Sequence, residues 1–151
     1  MKKKKLLIIW LSIIIILFFI RLYIDHEIIE ISTFEIKSNE IPNSFNGYKI
    51  LHISDFHSKE FGKNGATLVN KIDKISPDVI FLTGDMVTSN ETDYTVFFNL
   101  VDEISPKYET YYIVGNHEQD LDEEHMNMIT KYLEENDVIV LDNESLELVR
   151  R

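Results

Sequence analysis

The sequence predicts an α/β domain behind one transmembrane helix. Three observations carry that prediction. Three short runs, Tyr48 to Ser54, Val79 to Thr83 and Thr110 to Val114, are rich in β-branched and aromatic residues, as buried strands are. Each ends abruptly in polar residues: Asp55-Phe56-His57, Gly84-Asp85 and Gly115-Asn116-His117-Glu118. The endings recur at 30 residues from Asp55 to Asp85 and 31 from Asp85 to Asn116. A strand, a crossover helix and the next parallel strand take about 30 residues.

The chain opens with four lysines, Lys2 to Lys5, and an apolar run from Leu6 to Ile24 broken only by Ser12 and Arg21. As a helix, that run spans roughly 28 Å, close to a bilayer's hydrocarbon core. Arg21 lies near its end, where a long cationic side chain reaches the interface. Bulky Phe18 to Tyr23 leave no small-residue cleavage site, so the run reads as an uncleaved anchor rather than a signal peptide. Positive flanks stay in the cytoplasm. The expected layout is a cytoplasmic lysine cluster and transmembrane anchor over 1–24, then an extracytoplasmic domain over 25–151, in a single-pass membrane protein.

The 151 residues suffice for one ordinary domain. The net charge of -11 is unevenly distributed. Residues 22–151 carry 10 basic against 26 acidic side chains, the opposite of a nucleic-acid footprint, so no nucleic acid is expected. The chain has no cysteine, which excludes disulfides and thiolate metal sites.

Taken in order, Ile28 to Lys37 alternates partially and predicts a strand. Ser38 to Gly47 is a loop marked by Pro42 and Asn46-Gly47. After the first tip, Leu68, Val69, Ile72 and Ile75 share one helical face, stopped by Ser76-Pro77. After the second, Tyr94, Phe97, Phe98, Val101 and Ile104 do the same before Ser105-Pro106. After the third, the acidic stretch Glu118 to Glu124 opens a helix with a stripe of Met126, Ile129, Tyr132 and Leu133. Val138 to Leu141 predicts a further strand, and Ser145 to Val149 the start of another.

In a parallel sheet the C-terminal strand ends share one edge, where ligands bind. The three tips therefore converge on one site. Asp, His, Asp, Asn and His together suit a pair of divalent cations of the manganese, iron or zinc kind. Two cations about 3.5–4 Å apart can activate a water and neutralise phosphoryl oxygens. Asp85, on the central tip, is the candidate bridge between them. Asp55 and His57 can be aimed at one ion, and Asn116 offers a neutral carbonyl oxygen to the other. His117 can hydrogen-bond a phosphate or protonate a leaving oxygen. His52 reads as a core or supporting histidine, and His26 and His125 as surface residues.

Asp55-x-His57, Gly84-Asp85 and Gly115-Asn116-His117-Glu118 resemble the motifs of the calcineurin-like metallophosphoesterase superfamily. The stretch Ile50 to His57 behind an anchor is similar to its membrane-anchored bacterial branch. The resemblance implies an α/β/β/α sandwich and hydrolysis of phosphomonoesters or phosphodiesters by two divalent metal ions. It implies Asp55, His57 and Asp85 on one metal, Asp85 and Asn116 on the other, and His117 beside the scissile phosphate. It also implies later Gly-His and Gly-His-x-His motifs, but no histidine follows His125. The expectation is thus the N-terminal half of such a domain, tethered through residues 6–24, with a lipid or cell-envelope phosphoester as substrate. The competing expectation is a non-catalytic, membrane-tethered remnant.

Overall fold

A 26-residue helix, α1 (Lys2–Glu27), opens the chain in a computed structural model that describes residues 2–150, with the side chains of Lys2, Leu7 and residues 22–27 outside the described set. Apolar side chains surround this helix on all sides, with Trp10 and Phe19 both more than 60% exposed. Such a helix has no polar face to offer water. Among the described residues, no helix is long and apolar enough to cross a membrane. The end of the expected span, Leu22 to Ile24, lies outside the described side chains.

The chain forms two compact units, Met1–Ile36 and Lys37–Arg151. The expected strand over Ile28 to Lys37 does not form. Ile28, Ile31, Phe34 and Ile36 are exposed instead. Partial alternation gives a strand only where another strand supplies the ladder.

The second unit holds β1 (Ile50–Ile53), β2 (Val79–Thr83), β3 (Glu109–Ile113) and β4 (Ile139–Leu141). All neighbours are parallel, and the sheet order is the chain order. Register puts Leu51, Ile80 and Thr110 in one row and Ile53, Leu82, Tyr112 and Val140 in the next. This face receives the connecting helices, α2 (Ala66–Ile75), α3 (Thr95–Ile104) and α5 (Glu123–Glu135). Phe97 of α3 meets Tyr112 with ring centroids 6.0 Å apart.

Apolar spacing makes each helix one-sided. Leu68, Val69 and Ile72 are buried in α2, Phe97, Leu100, Val101 and Ile104 in α3, and Ile129 and Leu133 in α5. Each fully buried aliphatic side chain contributes about 1.5–3 kcal/mol. Just ahead of α3, Asp93 Oδ1 accepts from Thr95 N at 3.0 Å in a local turn.

The acidic stretch expected to open one helix is split. A single turn, α4 (Asn116–Gln119), comes first, and α5 starts afresh at Glu123. Asp122 caps that start by accepting from His125 N at 2.9 Å. The break falls at Asp122, whose extended backbone (φ -69°, ψ 163°) separates the two helices.

The α/β class holds, but the described residues form one sheet where the sandwich implies two. Ser145 to Val149 is not a strand, because no neighbour pairs with it. The second face of the sheet is partly open, with Ile50, Ile113 and Ile139 exposed. Phe81 and Tyr111 stack on that face at 5.2 Å.

Candidate metal centre

The three tips meet at the C-terminal edge of the sheet, as the βα period requires. Pairing between β1 and β2 continues past the strands. Asp55 N donates to Gly84 O at 3.2 Å, His57 N to Asp85 O at 2.9 Å and Ser58 N to Met86 O at 2.9 Å. The β1 tip is thereby laid along the β2 tip. Asp55, His57, Ser58 and Asp85 all take left-handed backbone conformations, with φ of 53°, 48°, 48° and 53°. Four such non-glycine residues in two adjacent turns store strain that functional sites commonly hold.

Gly84 and Gly115 bring the β2 and β3 tips into contact. Gly84 has φ of +86°, and a Cβ there would fall 2.5 Å from Gly115 Cα. A Cβ on Gly115 would strike Asp85 N and Oδ1. Only glycine permits this approach.

Glu118 locks the contact. Its side chain is wholly buried. Oε2 accepts from Asp85 N at 2.8 Å and Gly115 N at 2.9 Å, and Oε1 from Met86 N at 2.6 Å and Val87 N at 3.1 Å. Four backbone donors thus solvate one carboxylate in place of water, which makes its burial tolerable. Beside it, the Tyr112 hydroxyl is buried without a hydrogen-bond partner. Burial first, then the Glu118 charge, raises the Tyr112 pKa and keeps the phenol neutral.

These ties set the side chains at the edge. Asp85 Oδ1 accepts from His117 N at 3.0 Å. The Asn116 amide, turned with its nitrogen toward Asp85, donates to Oδ2 at 3.1 Å. The His57 and His117 rings meet edge to face at 4.7 Å. One ligand atom from each of His57, Asp85 and His117 lies within 4.8 Å of the others, and all three side chains are half-buried. His57 Nδ1 is buried and has no partner. An imidazole with an unbonded ring nitrogen beside a carboxylate is a donor set of the kind divalent ions take, so the residues present suit such an ion.

Asp55, His57, Asp85, Asn116 and His117 therefore come to one edge. Asp55 and Asn116 are exposed at its margin, and Asp55 stands outside the tight group. His52 lies one register row back, hydrogen-bonded to Thr83 Oγ1. His125 is not a plain surface residue, since its Nδ1 lies 3.0 Å from Tyr94 Oη. Sequence reasoning missed Glu118. The available signal was its place three residues after Gly115, where a side chain can reach back to the backbone N–H.

Residues 48–148 match the family described as calcineurin-like phosphoesterase. The chain belongs to that family. By family this chain groups with the metallophosphoesterase-type hydrolases. An uncharacterized metallophosphoesterase of Bacillus subtilis, YkoQ, is 32% identical over 101 residues, covering 66% of this chain and 37% of that protein. An uncharacterized metallophosphoesterase of Campylobacter jejuni is 33% identical over 92 residues, covering 58% and 25%. A transmembrane protein with metallophosphoesterase domain from Danio rerio is 26% identical over 86 residues, covering 56% and 20%. The phosphoesterase chain thus spans well under half the length of these relatives.

Proposed function

We propose that this chain supplies one wall of a two-metal centre that hydrolyses phosphomonoesters or phosphodiesters on the outer side of a membrane. The single observation that carries the reading is the approach of the His57 imidazole and the Asp85 carboxylate at a sheet edge, with His117 beside them. Asp55, His57 and Asp85 would hold one divalent cation of the manganese, iron or zinc kind, and Asp85 and Asn116 a second. Bound there, the cations would neutralise phosphoryl oxygens and acidify the attacking water. The chain's own groups do the rest. Asp85 would serve both cations, and its Oδ1 holds the His117 backbone in register. His117 donates a proton to the phosphate or to the leaving oxygen.

Membrane anchoring is part of the reading. The all-round apolar surface of α1 behind Lys2 to Lys5 supports it, as does the printed name of the Danio rerio relative. A lipid or cell-envelope phosphoester is the substrate class that a tethered site would meet first.

Calorimetric titration of the full chain in detergent with manganese tests the site. Binding that Asp85→Asn weakens at least tenfold supports it. Equal binding by wild type and Asp85→Asn removes the proposal. Recovery of the chain from membranes by alkaline wash alone would remove the anchor.

A further inference from the structure

The loop after β2, Thr88 to Asp93, lies outside the three motifs, yet it is bonded to two of the tips. Glu91 organises it. Its Oε2 accepts from Ser58 Oγ at 2.7 Å and from Thr88 N at 3.1 Å. Ser58 directly follows His57, and Thr88 directly precedes Ser89. Ser89 N points at His117 Nδ1 across 3.4 Å. The far side of the loop is braced too. Tyr94 Oη donates its proton to Glu91 O at 2.9 Å, which leaves His125 Nδ1 as the donor in the 3.0 Å contact to the same oxygen.

A backbone N–H aimed at Nδ1 settles where His117 keeps its proton. A second hydrogen on Nδ1 would face that of Ser89, so neutral His117 carries its proton on Nε2. In that form Nε2 is a donor and not a cation ligand. We propose that Glu91 is a positioning residue: by joining Ser58 to Thr88 it holds Ser89 N–H against His117 Nδ1 and so fixes the Nε2–H tautomer. This deepens the proposed function, because it rests on His117 as the proton donor, and it gives that role a cause outside the family motifs.

One oxygen of Glu91 makes both bonds, so its acceptor geometry matters and its charge does not. Glutamine keeps such an oxygen and alanine does not. The test is imidazole-nitrogen NMR of the isotope-labelled, metal-free full chain in detergent at about pH 8, above the ordinary imidazole range. The His117 signals are those lost in His117→Asn. Wild type should show the Nε2–H pattern alone. Glu91→Ala should show exchange averaging with the Nδ1–H form, and Glu91→Gln should restore the wild-type pattern. An unchanged spectrum in Glu91→Ala, a Glu91→Gln spectrum like that of alanine, or an Nδ1–H wild type would each overturn the inference. Absence of phosphoesterase activity would leave these spectra unaltered, so the two readings fail separately.

Discussion

Glu118 Oε1 accepts the Met86 backbone N–H at 2.6 Å from a position with no solvent exposure. A residue of the third tip thereby solvates the backbone of the second. A buried carboxylate bonded only to N–H groups cannot be exchanged for an amide without turning a donor toward donors. Glu118→Gln should therefore destabilise the fold by about 3 kcal/mol, and Glu118→Ala by at least as much. Urea unfolding of both variants checks this. A loss below about 1 kcal/mol in both would mean the four donors find water instead.

Gly84→Ala adds a methyl where the β3 tip already sits and demands a left-handed alanine. The backbone conformation alone costs about 1–2 kcal/mol, and the clash with Gly115 adds to it. Thermal unfolding should fall by several degrees. Gly47→Ala, where a Cβ meets nothing within 4 Å, should show only the conformational part.

Asp55→Gly separates strain from function. Asp55 holds φ of +53° and is exposed, so glycine relieves the backbone while increasing unfolded-state freedom. The expected change in stability is within about 1 kcal/mol of zero. Manganese affinity should nevertheless drop at least tenfold. Denaturant unfolding and calorimetry on one sample test both halves.

Alkaline pH should weaken the fold. Burial, then the hydrogen bond to Glu109, lifts Tyr111 from 10.0 to about 12, and burial with Asp102 lifts Tyr132 likewise. Tyr112 is raised as well. A raised folded pKa means the folded chain holds its proton while the unfolded chain releases it. That stability is complete below pH 10 and is lost as pH rises from about 10 through about 12. The midpoint of urea unfolding should fall across that window, in step with tyrosinate absorbance.

The tips were legible because chemistry and spacing coincided. Asp55, Asp85 and Asn116 each follow a β-branched run at one βα interval, and parallel strands leave their ends no choice but one edge. Glu118 does open a helix, as the first-turn acid of α4, but a sequence does not say that its carboxylate also takes backbone donors from the second tip. Ile28 to Lys37 alternates partially and Ser145 to Val149 follows a turn, but a ladder needs a partner, and neither segment has one among the described residues. The left-handed turns at His57 and Ser58 left no glycine to announce them. The bonds between Glu91, Ser58 and Thr88 depend on side-chain reach that no local pattern encodes.

The order of the strands also governs how the site comes into being. Because β1 to β4 are laid down in the order in which they are synthesised, each new strand finds its partner already present. The bonds that join the tips connect residues only about thirty positions apart, as from Asp85 to Glu118. No distant segment is needed to bring Asp85, Asn116 and His117 into register. Once residue 118 is present, every bond that Glu118 makes between the second and third tips is available within this stretch of chain. Each such closure pays its loop entropy before the parallel pairing rewards it, so the assembly of the sheet sets the pace of folding.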